Sequence, residues 1–235
     1  MTRRSYDQYC GLAHALDVVG ERWTPLIVRE LMSGPKRYSD LEAALGGIGT
    51  SLLAARVRQL QSDGLVSRRL LDLPVNAVAY ELTTAGRELG RALAPLALWG
   101  ARYFLSEEGA AAEEFRAEWA LVFVADGLDP AALRNLAAEY EFRIDDSVAR
   151  MRIGDGRAEI LTGASEIPPT AVLRTDAATV GAIAGGRLTV RDAVGHGRIQ
   201  PEGDSEALQT LLTLLDTQVK LLVGSAGGAE RSGTA

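Results

Sequence analysis

Residues 39–64 read SDLEAALGGIGTSLLAARVRQLQSDG, and this stretch decides the fold of the first half of the chain. Ser39 and Glu42 have the spacing of a capping box, in which a hydroxyl and a carboxylate each satisfy a free backbone N–H at a helix start. The spacing predicts a short helix carrying Leu41, Ala44 and Leu45, ended by Gly46-Gly47. The GGIG run is a tight turn. A second helix then runs from Thr50 to Asp63, with Leu53, Val57 and Leu60 inward, and stops at Gly64. At roughly 100° per residue, that choice turns Ser51, Ala55, Arg58 and Ser62 outward. Two short helices across a tight turn form a helix-turn-helix, whose second helix enters the major groove of DNA.

Upstream, Leu12, Leu16 and Val19 mark an amphipathic helix that stops at Gly20, and Trp23, Leu26, Ile27 and Leu31 mark another with Pro25 in its first turn. Gly34-Pro35 breaks the chain. Downstream, LVSRRL (65–70) and AVAYEL (77–82) read as a β-hairpin around a loop with Pro74 and Asn76. A long helix follows from Thr84 to Leu105, with Leu89, Leu93 and Leu96 on one face and Pro95 inside it. Helices followed by a hairpin describe a winged helix-turn-helix. On the outward face of the reading helix, Ser51 can bond a groove edge, Ala54 and Ala55 can meet thymine methyls, and Arg58 can reach a guanine or a phosphate. Lys36, Arg37, Arg68 and Arg69 flank that helix in sequence and are placed to grip backbone phosphates.

Composition is compatible with this. The 235 residues carry a formal net charge of −6, but the charge is uneven. Residues 1–110 hold 13 Lys+Arg against 12 Asp+Glu, and residues 111–235 hold 12 against 19. The half expected to meet DNA is thus near neutral, with its cations clustered. One cysteine, Cys10, and two histidines, His14 and His196, speak against a disulfide framework and a zinc cage. No apolar run approaches about 18 residues, and the first residues lack a signal core, so a cytoplasmic protein without membrane contact is expected.

CGLAHALDVVGERWTPLIVRELMSGPKRYSDLEAALGGIGTSLLAARVRQLQSDGLV (10–66), AVAYELTTAG (77–86) and APLALWG (94–100) together resemble the HxlR family of bacterial winged-helix regulators. The resemblance implies a homodimer built through the first and last helices of the domain, reading a palindromic operator with two recognition helices. It carries DNA contact onto Thr50, Ser51, Ala54 and Arg58, with Arg37 just before them. One departure stands out. The family's wing usually ends in Pro-Pro-Arg, whereas this chain has Val75-Asn76-Ala77, which leaves wing contacts to Arg68 and Arg69. Several members of the family also carry a sensing thiol near the position of Cys10. A helix start and His14 one turn on are features that lower a thiol pKa. Against this, a free cysteine more commonly packs as a small apolar residue, here at a dimer seam.

In the second half, SEEGAAAEE (106–114) reads as a linker or helix continuation, Phe115–Val124 as a helix, and Asp129-Pro130 as a capped helix start. YEFRI, VARMRI, RAEIL and TAVLR alternate apolar with polar residues between turn signals, which predicts an antiparallel sheet with one buried face. Helices are expected over Asp176–Ala184, Thr189–Val194 and Asp204–Leu222. Gly195-His196-Gly197 lacks the strand-to-helix context and lysine of a phosphate cradle, so it reads as a loop. No catalytic constellation, metal site or cofactor site is recognisable, and no enzyme is expected. The run LRTDAATVGAIAGGRLTVRDAVGHGRIQPEGDSEALQTLLTLL (173–215) resembles the C-terminal half of a sterol-carrier-protein-type domain. That resemblance implies an apolar molecule held between sheet and helices, lined by Phe123, Phe142, Met151, Ile153, Ile160, Leu173, Ile183, Leu188 and Leu211. The same residues could equally fill a solid core.

The expectation is an α+β chain in three parts: a winged helix-turn-helix DNA-binding and dimerisation domain (1–105), a linker (106–118) and a sterol-carrier-like ligand-binding domain (119–235) with a disordered tail. Its partners would be double-stranded DNA, a second copy and an apolar small-molecule effector, with the regulator acting as a repressor. Two alternatives stand beside it. One is a regulator that senses oxidants or electrophiles through Cys10. The other is an apolar-ligand carrier that uses the winged helix only to dimerise.

Overall fold

A computed structural model describes residues 5–71 and 77–226. Pro74, Val75 and Asn76, expected in the loop of the hairpin, and the expected tail lie outside this range. The chain divides into two compact units, Met1–Gly90 and Arg91–Ala235.

In the first unit, α1 (Gly11–Val19) and α2 (Thr24–Met32) precede a two-residue strand, β1 (Lys36–Arg37). Then come α3 (Tyr38–Ala44), α4 (Thr50–Ser62), β2 (Val66–Leu70) and β3 (Val78–Leu82). The inner stripe of α4 is the expected one: Leu53, Val57 and Leu60 are buried, together with Ile27, Val28, Leu31 and Leu41. Gly47 in the α3–α4 turn and Gly64 after α4 both have positive φ, 88° and 72°, the left-handed region that glycine enters without a Cβ penalty. Arg56 on α4 reaches Glu21 at 2.6 Å and ties the helix to the α1–α2 corner.

Three local features differ from the sequence pattern or add to it. The α3 cap lies two residues earlier: the helix starts at Tyr38, and the Asp40 carboxylate accepts from the Arg37 backbone N–H at 3.0 Å. Glu42 turns away to accept the Thr50 hydroxyl at 2.8 Å. Lys36 and Arg37, to which the sequence pattern assigns no element, form the third strand of the wing sheet, order β1-β3-β2. And the apolar stripe of α1 is not buried: Leu12 and Leu16 are exposed, and Ala13 is its buried residue.

Helix α5 (Thr84–Phe104) runs from the first unit into the second and contains Pro95. After it come α6 (Glu107–Ala112), α7 (Ala117–Asp126) and α8 (Pro130–Leu133), and then β4 (Ala138–Ile144), β5 (Ser147–Gly154), β6 (Arg157–Thr162) and β7 (Ala171–Thr175). The chain ends with α9 (Ala177–Ala184), α10 (Val190–Gly195), β8 (Gln200–Gly203) and α11 (Ser205–Ala226). The stretch read as linker or continuation holds a helix of its own, because the Ser106 hydroxyl caps α6 by accepting from Gly109 N at 3.1 Å. Asp129 caps α8 from Ala131 N, with Pro130 at its first position as expected.

The second sheet has the order β6-β5-β4-β7-β8. It is mixed rather than antiparallel, since β7 pairs with β4 in parallel, Phe142 opposite Leu173. The alternation along β7 leaves Ala171 and Leu173 buried and Val172 and Arg174 half-buried. It carries no information on strand direction, which is set by the crossover after β6. Along the inner face Tyr140, Met151 and Ile160 form one cross-strand row, buried under α7, while α11 packs on β8, α7, α9 and α10. The opposite face is charged. Glu139 meets Arg150 and Arg152, Glu141 meets Arg143, and Arg174 meets Glu202. Ser165, in the crossover, donates its backbone N–H to Glu141 and its hydroxyl to Glu139.

Candidate nucleic-acid interface

The α4 N-terminus is built by three side chains. Tyr38 donates its hydroxyl to the Thr50 carbonyl at 2.7 Å, and Thr50 donates its own to Glu42. Partial burial, then the nearby Glu42 carboxylate, push the Tyr38 phenol above its ordinary range, so it stays a proton donor. These bonds fix the first turn of α4 against α3. Ahead of that turn the helix leaves free N–H groups that favour an anion such as a phosphate.

Of the expected contact residues, Thr50, Ser51 and Arg58 are exposed on α4, and Ala54 and Ala55 are half-buried. No ion pair engages Arg58 among the described residues. Two rows of the wing sheet hold the flanking cations: Lys36, Tyr80 and Arg68 in one, and Arg37, Ala79 and Arg69 in the next. Arg68 lies over the Tyr80 ring at 5.8 Å, and Arg69 reaches Glu81 at 3.4 Å. Arg37 is held loosely by Asp40, also at 3.4 Å. Sequence spacing sets these four cations only on either side of α4; β1 brings them into register.

Two residues of this surface escaped the sequence reading. Leu52 is an exposed large apolar side chain on α4. The signal was the Leu52-Leu53 doublet: adjacent helical residues stand about 100° apart, so only one of the two can turn fully inward. Tyr38 lies outside α3 when Ser39 is taken as its cap, two residues later than the actual cap at Arg37.

Elsewhere, Cys10 is exposed, at the N-cap of α1. Backbone N–H groups of Ala13 and then Leu12 hold its thiol below the ordinary value. The nine positions expected to line a ligand are all in the second unit. Phe142, Met151, Ile153, Ile160, Leu173, Ile183 and Leu211 are buried, while Phe123 and Leu188 are half-buried. Among the described residues no group of three His, Cys, Asp or Glu side chains could hold a metal ion, and no helix is long and apolar enough to cross a membrane.

A three-helix core, a helix presented outward after a glycine turn, and a cation-bearing wing define a winged helix-turn-helix protein. The HxlR-like helix-turn-helix family model matches residues 18–108. Two Bacillus subtilis proteins described as uncharacterized HTH-type transcriptional regulators are similar to the chain. YkvN is 35% identical over 104 residues, 44% of this chain and 87% of that protein. YvaP is 32% identical over 89 residues, 38% and 82%. Among solved structures, the reduced form of the transcriptional regulator YodB from B. subtilis covers 41% of this chain and 96% of its own, at 28% identity and TM-score 0.37. The chain belongs to the HxlR-like helix-turn-helix family, and is by that membership a transcriptional regulator.

Proposed function

We propose that the chain is a homodimeric, sequence-specific repressor that reads a palindromic operator with α4 from each copy and answers to an apolar small molecule in its second unit. The observation that carries the DNA part is the exposed side of α4, where Thr50, Ser51, Leu52 and Arg58 stand clear. Arg58 would contact a guanine or phosphate, Ser51 a base edge, and Ala54 and Ala55 thymine methyls. Lys36, Arg37, Arg68 and Arg69 would hold the backbone. The dimer part is supported by apolar side chains exposed along two helices: Leu12 and Leu16 on α1, and Leu96, Trp99 and Tyr103 on α5. Apolar side chains exposed together on one face of a helix mark an interaction face. The effector part is supported by the continuous apolar layer between the second sheet and its helices, and by the likeness of 173–215 to a sterol-carrier-type sequence.

The test is selection of duplexes from a random pool by the purified full chain, followed by titration against selected and scrambled sequences. A twofold-symmetric site and a preference of about 10³ or more are expected. Weak, sequence-indifferent binding would reduce the winged helix to a scaffold of a ligand carrier and refute the proposal.

A second reading has its own observation, the exposed Cys10 thiol held in a lowered range by two backbone N–H groups. A thiolate is the reactive form towards quinones and oxidants. If the thiol carries the signal, a quinone releases the wild-type chain from its duplex and leaves C10S bound. Equal release of both removes this reading.

A further inference from the structure

The end of α5 is finished by an arginine that lies more than eighty residues further on in sequence. A helix leaves its last carbonyls without intrahelical partners, and a glycine in the left-handed region is the usual local remedy. Here Leu105 and Ser106 follow the helix. The Arg187 guanidinium takes the glycine's place: Nη1 donates to Ala101 O at 3.3 Å and Arg102 O at 3.4 Å, and Nη2 donates to Leu105 O at 3.4 Å. Its charge also sits at the negative end of the helix dipole. The same Nη2 donates to Gly181 O at 3.3 Å, so one side chain joins α5 to α9.

The surrounding residues are shaped for this contact. Gly181 lies on α9, and Gly185, one turn on, is its C-cap. A methyl at Gly185 would stand 2.5 Å from Arg187 Nη1 and 3.1 Å from Ala101 O, whereas one at Gly181 would meet Leu105 at an ordinary 3.6 Å. Gly186, with φ +72°, makes the turn that aims Arg187 back. Arg102 adds a bond to Val223 O at 3.4 Å. On α5 itself, Ala101 faces this junction and is buried, while Leu96, Trp99 and Tyr103 lie roughly 160–220° around the helix from it and are exposed. The helix therefore has α9 on one side and, on the other, the aromatic face assigned above to the dimer. Thr179 and Ile183 of α9 lie on its far side from Gly181 and are buried in the second unit.

We infer that Arg187 is a positioning residue: it holds the last turn of α5 in the orientation that presents Trp99 and Tyr103, so that displacement of α9 within the second unit alters how two copies of this chain associate. This rests on the reading of α5 as a dimer helix. The test uses the full chain with R187A, R187K, G185A and G181A, plus W99A as a control on the interface. Dimer dissociation is measured by sedimentation, and hydrogen–deuterium exchange is followed over residues 98–105. R187A and G185A are expected to speed exchange in that turn and to raise the dimer dissociation constant about tenfold, the scale of one charge-assisted hydrogen bond. R187K should recover part of the loss, G181A should match wild type, and melting of the sheet should not move. Wild-type exchange and dimerisation in R187A would overturn the inference. A wild-type chain that stays monomeric, or dimerises unaffected by W99A, sinks the dimer reading and the transmission with it, while the exchange data still report separately on the positioning.

Discussion

Arg58 is the long cation on the outward side of α4, one turn beyond Ala54 and Ala55, and its role separates two kinds of contact. If it reads a guanine, R58A costs about 1–3 kcal/mol and relaxes preference at one operator position. If it holds a phosphate, binding weakens evenly across sequences and the slope of log affinity against log salt falls by about one. Affinity of R58A for single-base operator variants at two salt concentrations distinguishes these. An effect on neither places Arg58 outside the interface. Single residues also show what spacing alone cannot decide. Leu53, Val57 and Leu60 were legible as inward because their period matches the helix. The partner of Thr50 was not, because Ser39, Asp40 and Glu42 could each have closed the α3 cap, and only the folded turn selects Asp40 and frees Glu42 for Thr50.

At the scale of elements, the charged face of the second sheet gives a pH prediction. The Ser165 hydroxyl, with Arg152 and Arg150, holds Glu139 below its ordinary value of 4.5. Burial of Glu141 opposes its ionisation, but the Ser165 N–H and Arg143 outweigh that, so Glu141 also titrates below 4.5. Carboxyls with lowered folded-state values bind protons more weakly than in the unfolded chain. Their stabilisation is complete above about pH 5 and is lost as pH falls through the lowered values. The melting temperature of the second unit should therefore fall as pH drops from 5 towards 3. E139Q and E141Q should be less stable at neutral pH and show a shallower acid slope; an unchanged slope in both would contradict the assignment. The elements themselves were largely legible, since caps such as Asp129-Pro130 and stops such as Gly20 and Gly64 act locally. Pairings were less so. β1, β8 and the parallel β4–β7 contact depend on residues distant in sequence, and a two-residue strand or one containing Pro201 has no periodicity to read.

For the whole molecule, the division of labour follows from where apolar surface is spent. The winged unit buries the inner stripe of α4 and leaves Leu12 and Leu16 of α1 exposed, which suits a unit completed by a second copy. The second unit buries its sheet face under helices and grips the end of α5, a helix that begins in the winged unit. Local sequence made the winged helix and its α4 surface readable in advance. It gave no sign of Arg187, because an arginine in a glycine turn reveals nothing of the carbonyls it will meet. The most direct measurement of the central claim is photo-crosslinking of the full chain to its selected duplex, from a reactive side chain placed at position 51 or 58 of α4 and, separately, at Leu221 on α11. Crosslinks from both α4 positions and none from position 221 are the predicted result. Crosslinking from position 221 with silence at 51 and 58 would contradict it.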